Sequence, residues 1–201
     1  MSDVTLILAA GASRRMAGRD KLMELVEGRP LVARQAALAA KVTRDVIVAL
    51  PPKPHPRYGA LDALGVTALP IPESAEGMGG TLRGAVARLP KTCTGLLLLL
   101  GDLPDITEDD LRAVLTAREE VPSARIWRGA TMSGAPGHPI LFAPEVFPDF
   151  ARLAGDEGGQ AMIARHRDHV HLVPLPDSRA RRDLDTPGDW AAWRAEKAQD
   201  P

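Results

Sequence analysis

Apolar positions along this chain fall into short continuous runs separated by stretches in which they recur every three or four residues. Val4 to Ala9 is such a run, ended by Gly11, and it is too uniformly apolar for a half-exposed strand, so it predicts a strand buried on both faces. Pro30 opens an alanine-rich helix with Leu31, Gln35, Leu38 and Val42 on one side, proline being tolerated in a first turn. Asp45 to Leu50 reads as a second strand. Pro51, Pro52, Pro54 and Pro56 then make a loop, a candidate mobile flap, followed by a weaker element between Ala60 and Leu69. A glycine-rich turn at Gly77 to Gly80 leads into a helix through Thr81 to Leu89. Leu96 to Leu100, five consecutive leucines between Gly95 and Gly101, is the clearest buried strand.

Thr107 is an N-cap candidate with Asp109 and Asp110 in the following turn, where a carboxylate meets the positive end of the helix, and Leu111, Val114 and Leu115 form the inner stripe. Ala124 to Trp127 and Pro139 to Phe142 read as strands flanking a glycine-rich loop, Gly129 to Gly137. Helices are expected near Pro144 to Leu153 and Gly159 to His166, a strand at Val170 to Val173, and a last helix started by Thr186, Pro187 and Asp189. Strands alternating with helices predict an α/β fold, a three-layer Rossmann-like sandwich around a mostly parallel mixed sheet, with residues 1–201 as a single domain.

Charge and composition narrow the function. The 201 residues carry 25 basic and 26 acidic side chains, a formal net charge of −1, which lacks the electrostatic footprint of a nucleic-acid or membrane-surface binder. Cys93 is the only cysteine, so neither a disulfide nor a thiolate-rich metal site can form within the chain. No apolar run approaches the ~20 residues of a membrane span, and the start lacks a secretory pattern, so a cytoplasmic protein is expected.

In parallel sheets ligands collect beyond the carboxyl ends of the strands, which directs attention to two loops. The first, Leu8-Ala9-Ala10-Gly11-Ala12-Ser13-Arg14-Arg15-Met16, runs on to Asp20-Lys21-Leu22. Small residues let backbone N–H groups approach an anion, and Arg14, Arg15, Arg19 and Lys21 supply charge for a polyphosphate. Neither a Walker A lysine nor a dinucleotide fingerprint is present, which disfavours kinases and dehydrogenases. The second loop, Gly101-Asp102-Leu103-Pro104-Asp105, puts Asp102 after a buried strand, where it could bind a hard cation such as Mg²⁺ together with phosphate oxygens. Asp183-Leu184-Asp185-Thr186-Pro187 offers a second carboxylate, with Asp185 the candidate ligand and Asp183 read as structural.

The first loop closely resembles the signature of the molybdenum cofactor nucleotidyltransferases. Glu76-Gly-Met-Gly-Gly-Thr-Leu82, Gly101-Asp-Leu-Pro104, Gly137-His-Pro-Ile-Leu-Phe142, Gly155-Asp-Glu-Gly158 and Asp183-Leu-Asp-Thr-Pro187 follow in the same order, and the last two resemble the cytidylyltransferase branch. The resemblance implies transfer of CMP from CTP to the phosphate of molybdopterin with release of pyrophosphate, and a molybdenum hydroxylase as the client of the product. It further implies Arg15, Lys21 and Asp102 as catalytic residues and Asp102 and Asp185 as ligands of Mg²⁺. Leu8, Ala9, Ala10 and Gly11 with Gly79, Gly80 and Thr81 would surround base and ribose, alongside Ser13 and Arg14.

The chain departs from this family pattern at Ala17, where glycine is more usual, at Gly79 and Gly80, where serines are frequent, and at Leu103. Base contacts at Gly79 and Gly80 are then expected from backbone alone. GTP-dependent guanylyl transfer, cytidylyl transfer to a sugar or methylerythritol phosphate, and a non-catalytic cofactor carrier are the alternatives. Guanylyl relatives resemble one another in having Leu-Ala-Gly-Gly where this chain has Leu8-Ala-Ala-Gly11, and a methylerythritol enzyme is expected to have Pro-Lys-Gln at Asp20-Lys21-Leu22.

Outside these loops the expectations are modest. His138, in the Gly-His-Pro turn, is a candidate acceptor contact. His166, His169 and His171 straddle a helix end and a strand start and are read as structural rather than metal-binding. Trp190 and Trp193 are read as a docking face of the last helix.

Overall fold

The computed structural model describes residues 2–199. Its strands are β1 (Ser2–Leu8), β2 (Leu25–Val26), β3 (Arg29–Pro30), β4 (Asp45–Leu50), β5 (Thr67–Pro70), β6 (Cys93–Leu100), β7 (Ile126–Ala130), β8 (Pro136–Phe142) and β9 (Val170–Pro174). The α-helices are α1 (Leu31–Ala39), α2 (Met78–Val86), α3 (Glu108–Glu120), α4 (Phe147–Phe150), α5 (Gln160–Arg165) and α6 (Pro187–Lys197). Seven strands form one sheet in the order β5-β4-β1-β6-β8-β7-β9, while β2 and β3 make a separate small hairpin.

Every pairing in the large sheet is parallel except the two that β8 makes with β6 and β7. β8 thus reverses direction once, and β7 again points the same way as β1 and β6. The carboxyl ends of β1, β4, β6 and β7 therefore open on one edge of the sheet. In-register pairing of Leu6 with Ile47 and with Leu98 brings the ends of β1 and β6 level, so the loops after Leu8 and Leu100 emerge side by side.

Alternate strand residues feed two cores. Ile7, Val48, Leu97, Leu99, Trp127 and Leu141 pack with Val32 and Ala36 of α1, Leu111 and Val114 of α3, and Trp190 and Trp193 of α6. Val4, Leu6, Ile47, Leu96, Leu98, Ile140 and Phe142 pack on the opposite face with Leu82 and Ala85 of α2, Phe150 of α4 and Met162 of α5. Both faces being covered explains why the strands read as continuous apolar runs. Thr107 and Thr186 cap α3 and α6 with complete capping boxes, each closed by an aspartate three residues on.

Several boundaries differ from expectation. α2 begins at Met78, so Gly79, Gly80 and Thr81 lie inside its first turn rather than ahead of it. β7 and β8 extend through Gly129 and Gly137, which shrinks the expected glycine-rich loop to residues 131–135. The helix expected over Pro144 to Leu153 is a 3-10 turn followed by the single-turn α4. The proline segment, expected as a mobile flap, is tied into the structure: Leu61 is buried, Tyr58 donates its hydroxyl to the Pro51 carbonyl, and Arg57 is 1% exposed. No helix among the described residues is long and apolar enough to cross a membrane.

Candidate active site at the carboxyl edge of the sheet

The loop after β1 is held by a buried clasp. Arg57 donates from Nε to Asp20 Oδ2 (2.8 Å) and from Nη2 to Asp20 Oδ1 (2.6 Å), and its Nη1 reaches the Ala9 carbonyl at 2.5 Å. The Ser13 hydroxyl joins the same group, accepting from Arg57 and from the Lys21 N–H, while Asp20 caps the turn at Lys21–Met23 through the Leu22 N–H. Burial by itself raises the Asp20 pKa, but the hydrogen bonds and charge of Arg57 outweigh it and hold the carboxyl below its ordinary value. Ser13 (φ 50°) and Ala17 (φ 51°) sit in the left-handed region, which costs a non-glycine residue about 1–2 kcal/mol, so the loop is strained and the clasp sustains it. The N–H groups of residues 10–15 meet no backbone carbonyl among the described residues, leaving them free for an anion.

Three aspartates meet beside this loop. Asp102 follows β6, and its carbonyl accepts from the Leu184 N–H, which sets Asp183 and Asp185 on either side of the buried Leu184 next to Asp102. The next residue, Leu103, is fixed by a buried hydrogen bond from Gln35 of α1 to its carbonyl. One carboxylate oxygen from each of Asp102, Asp183 and Asp185 lies within 4.8 Å of the others. Lys21 Nζ bridges Asp102 Oδ2 (2.5 Å) and Asp185 Oδ1 (2.6 Å), and Arg15 reaches Asp185 Oδ2 at 2.5 Å.

The charges respond accordingly. Burial would lower the Lys21 pKa, but Asp102 first and then Asp185 raise it, so the ammonium stays charged. Burial would raise Asp185, and Lys21 and Arg15 bring it down. Asp183, which pairs with no cation among the described residues, is pushed up by burial and by the Asp185 and Asp102 charges. Asp102 Oδ1 is buried and, among the described residues, has no hydrogen-bond partner. An orphaned carboxylate oxygen beside two further carboxylates is a donor set that suits a hard divalent cation.

Above these groups opens a cavity of about 640 Å³. Leu8, Ala10, Gly11, Ser13, Arg14, Arg15, Lys21, Thr81, Asp102 and Asp185, all singled out from sequence, line it, and Ser74 to Met78 and Asp156 close the far side. Ala9 stands behind the wall as the acceptor for Arg57. Gly79 and Gly80 are absent from the lining, contrary to expectation. The Gly79 N–H donates to the Gly155 carbonyl at 2.8 Å. A Cβ at Gly79 would lie 2.7 Å from the Ala154 carbonyl oxygen, and one at Gly80 would lie 2.2 Å from that of Glu73. These glycines let α2 pack against two backbone segments, which also explains why serine does not stand there.

His138 lines a second, mostly apolar cavity of about 60 Å³ that shares Leu8, Met78 and Leu100 with the large one. His166 instead pairs with Asp149 at 2.7 Å, and Trp190 and Trp193 pack edge to face at 5.8 Å within the core.

A sequence model of the MobA-like NTP transferase domain matches residues 5–170, a span that contains the β1 loop, Asp102 and the intervening walls of the cavity. The chain belongs to this family. A Synechococcus elongatus protein named as a probable molybdenum cofactor guanylyltransferase is 32% identical over 96% of this chain and 98% of its own length. Among solved structures, Rv0371c of Mycobacterium tuberculosis H37Rv superposes with a TM-score of 0.78 at 26% identity, covering 96% of this chain and 97% of that one. A manganese complex of that protein superposes with a TM-score of 0.73 at 25% identity over the same shares. As a MobA-like NTP transferase, the protein has the α/β architecture expected from sequence. Arg57, Gln35 and the placement of Asp183 beside Asp102 were not anticipated.

Proposed function

We propose that this MobA-like nucleotidyltransferase transfers a nucleoside monophosphate to the phosphate of molybdopterin, with GTP as the donor. The observation that carries the transfer is the convergence of Lys21, Arg15, Asp102 and Asp185 at the mouth of a cavity whose floor is the free N–H ribbon of residues 10–15. Expectation from sequence put CTP first; the guanylyl name of the relative at 32% identity supports GTP better. CTP remains as a second reading on one observation, the Ala10 methyl in the cavity lining, which takes space beside the base.

The reaction needs no protein nucleophile. An oxygen of the acceptor phosphate attacks the α-phosphorus of the triphosphate, the bond from that phosphorus to the β-phosphate oxygen breaks, and pyrophosphate leaves with its electron pair. The principal obstacle is repulsion between anions, about 4 kcal/mol per pair of unit charges at ~4 Å and an effective dielectric of ~20. The β1 loop opposes it with backbone N–H groups and Arg14, holding the triphosphate in a fixed pose. Lys21 carries its charge at the junction of the loop and the aspartates, where it reaches both the phosphates and their carboxylate frame. Arg15, with a side chain 70% exposed, is free to turn from Asp185 toward the departing pyrophosphate. Asp102 and Asp185, with Asp183 beside them, would hold a divalent cation such as Mg²⁺, which supplies charge neutralisation at the phosphate oxygens.

Pyrophosphate release measured with each of the four nucleoside triphosphates, with and without molybdopterin, and repeated on Ala10→Gly, tests this directly. Acceptor-dependent release with GTP, changed less than about threefold by Ala10→Gly, is the expected result. Release with CTP that opens to GTP only in Ala10→Gly would transfer the conclusion to the second reading, since one methyl is worth about 10- to 200-fold in discrimination. Absence of release with every triphosphate would overturn the function.

A further inference from the structure

Four carboxylates line the large cavity, and three of them are compensated. Lys21 bridges Asp102 and Asp185, and Glu76 accepts from Arg83 Nη2 at 2.6 Å. The fourth, Asp156, pairs with no cation among the described residues. The side of the cavity that carries Arg14, Arg15 and Lys21 is set for phosphates. An uncompensated carboxylate in the same cavity repels a triphosphate unless it faces a part of the ligand that presents hydrogen-bond donors, since an ionised carboxylate can only accept.

The place of Asp156 is built from both sides. Arg83 of α2 donates from Nη1 to the Leu153 carbonyl (2.7 Å), the Gly79 N–H donates to the Gly155 carbonyl (2.8 Å), and a turn closes from the Glu157 N–H to the Ala154 carbonyl (3.2 Å). These bonds staple residues 153–157 to α2 and leave the Asp156 side chain as what the segment offers the cavity. The carboxylate lies against the backbone of Gly77, where φ is 109° and a Cβ would stand 2.1 Å from Asp156 Oδ1. Glycine is therefore required at 77 both for its conformation and for this approach. Met78, exposed and next in the chain, lines the cavity with Leu8 and offers a planar ring an apolar face.

We propose that Asp156 recognises a ring N–H beside an exocyclic amine, the paired donors of a 2-amino-4-oxopyrimidine edge. The two carboxylate oxygens accept one bond each, as they do from the parallel donors of a guanidinium. Cytosine and adenine put a ring acceptor next to their amine, which sets a lone pair against the carboxylate, and uracil has no amine. Guanine alone among the four bases meets both oxygens. The inference rests on the proposed transfer from GTP to molybdopterin, a reaction that contains this edge twice, in the guanine of the donor and in the pterin of the acceptor. Guanine is the expected occupant, because Asp156 stands with residues 74–78 in the wall opposite Ala10.

Asp156→Asn tests this, since it keeps the shape of an exposed side chain and replaces one acceptor oxygen with a donor amide. KM for GTP and for molybdopterin is measured by pyrophosphate release. Affinities for GTP and for ITP, whose base lacks the 2-amino group, are measured by calorimetry without acceptor. The expected result is a GTP affinity lowered about tenfold or more, the usual worth of a hydrogen bond to a charged group, with ITP affected less and the molybdopterin KM unchanged. The wild-type preference for GTP over ITP then narrows in the variant, which a packing role would not produce. A rise in the molybdopterin KM alone upholds the recognition and assigns the edge to the pterin. Unchanged GTP affinity together with an unchanged molybdopterin KM overturns the inference, as does an equal loss for GTP and ITP. Absence of acceptor-dependent release by the wild-type protein overturns the proposed function alone, because the comparison of GTP with ITP binding still decides the role of Asp156.

Discussion

Replacing Arg57 with methionine should both destabilise the protein and disorganise its nucleotide loop. The change removes two hydrogen bonds to Asp20, one to the Ala9 carbonyl and one to Ser13, and it leaves Asp20 with a side chain only 20% exposed and no cation. Breaking a buried ion pair from one side costs about 3–5 kcal/mol. Asp20 keeps the Leu22 N–H and some solvent, so the lower end, about 3 kcal/mol, applies. With a urea m-value of about 2–3 kcal/mol/M, the unfolding midpoint should fall by roughly 1–1.5 M. Triphosphate affinity should weaken as well, because the left-handed Ser13 and the carbonyl of Ala9 lose the hydrogen bonds that fix the loop.

The acid side of the same experiment carries a sign. The folded Asp20 pKa lies below 3.8, so its stabilisation is complete above that value and is lost as pH falls through the folded pKa. In Arg57→Met only burial acts strongly on Asp20, which raises its pKa instead, so the gap between wild type and variant should be widest near neutrality and narrow toward pH 3. A midpoint shift below about 0.3 M at pH 7, or a gap that widens in acid, would refute the reading, and Asp20→Asn in a double-mutant cycle isolates the pair.

Asp102→Asn should lower turnover by about 10² or more with little change in unfolding midpoint, and Asp183→Asn measured beside it distinguishes a metal ligand from a structural residue. Lys21→Met should slow transfer yet tighten Mn²⁺ binding in the absence of nucleotide, because the ammonium now bridging Asp102 and Asp185 no longer competes; calorimetry showing weaker binding would contradict this. His138 should impose an acid-side loss of stability: its pKa falls from 6.5 to about 4 on folding, so the unfolded chain takes up the proton first, and stability declines from pH 6.5 down to pH 4. Over those 2.5 units the loss approaches ~3 kcal/mol, and His138→Gln should flatten that slope in urea titrations.

Much of the fold was legible because burial on both sheet faces writes itself as unbroken apolar runs. β4 spans Asp45–Leu50 as read, and α3 and α6 start at the caps that Thr107 and Thr186 announce. Two of the misreadings share a cause, glycine placed for close approach rather than for turning. Gly79 and Gly80 look like a loop by helix propensity, yet α2 needs them to pack within van der Waals contact of two backbone segments. Gly129 likewise stays in a strand, since a Cβ there would lie 2.8 Å from the His138 carbonyl oxygen. Arg57 left no trace in any periodicity because one side chain reaching across 37 residues to Asp20 is a tertiary fact. Asp183 did leave one: two aspartates alternating about a leucine that turns inward place both carboxylates on the same side.

The difference in legibility between triphosphate and base follows from the kinds of groups involved. In the proposed reaction phosphates would be met by charges and N–H groups concentrated in one segment after β1 and by carboxylates at two loops, and those residue types at those positions have few other uses. In the proposed function the base would face a wall assembled from Ala10, Ser74 to Met78 and Asp156, three stretches far apart in sequence whose contribution, the Asp156 carboxylate apart, is shape. Shape of this kind depends on how closely α2 approaches residues 154 and 155, which Gly79 permits, and residue 73, which Gly80 permits, although neither glycine lines the cavity. A single methyl at Ala10 is therefore insufficient to name the donor: the same side chain leaves room for a purine or only a pyrimidine depending on where α2 stands opposite it. On the proposed function, donor choice would depend on the α2 contact at Gly79 as much as on the loop that carries the family signature.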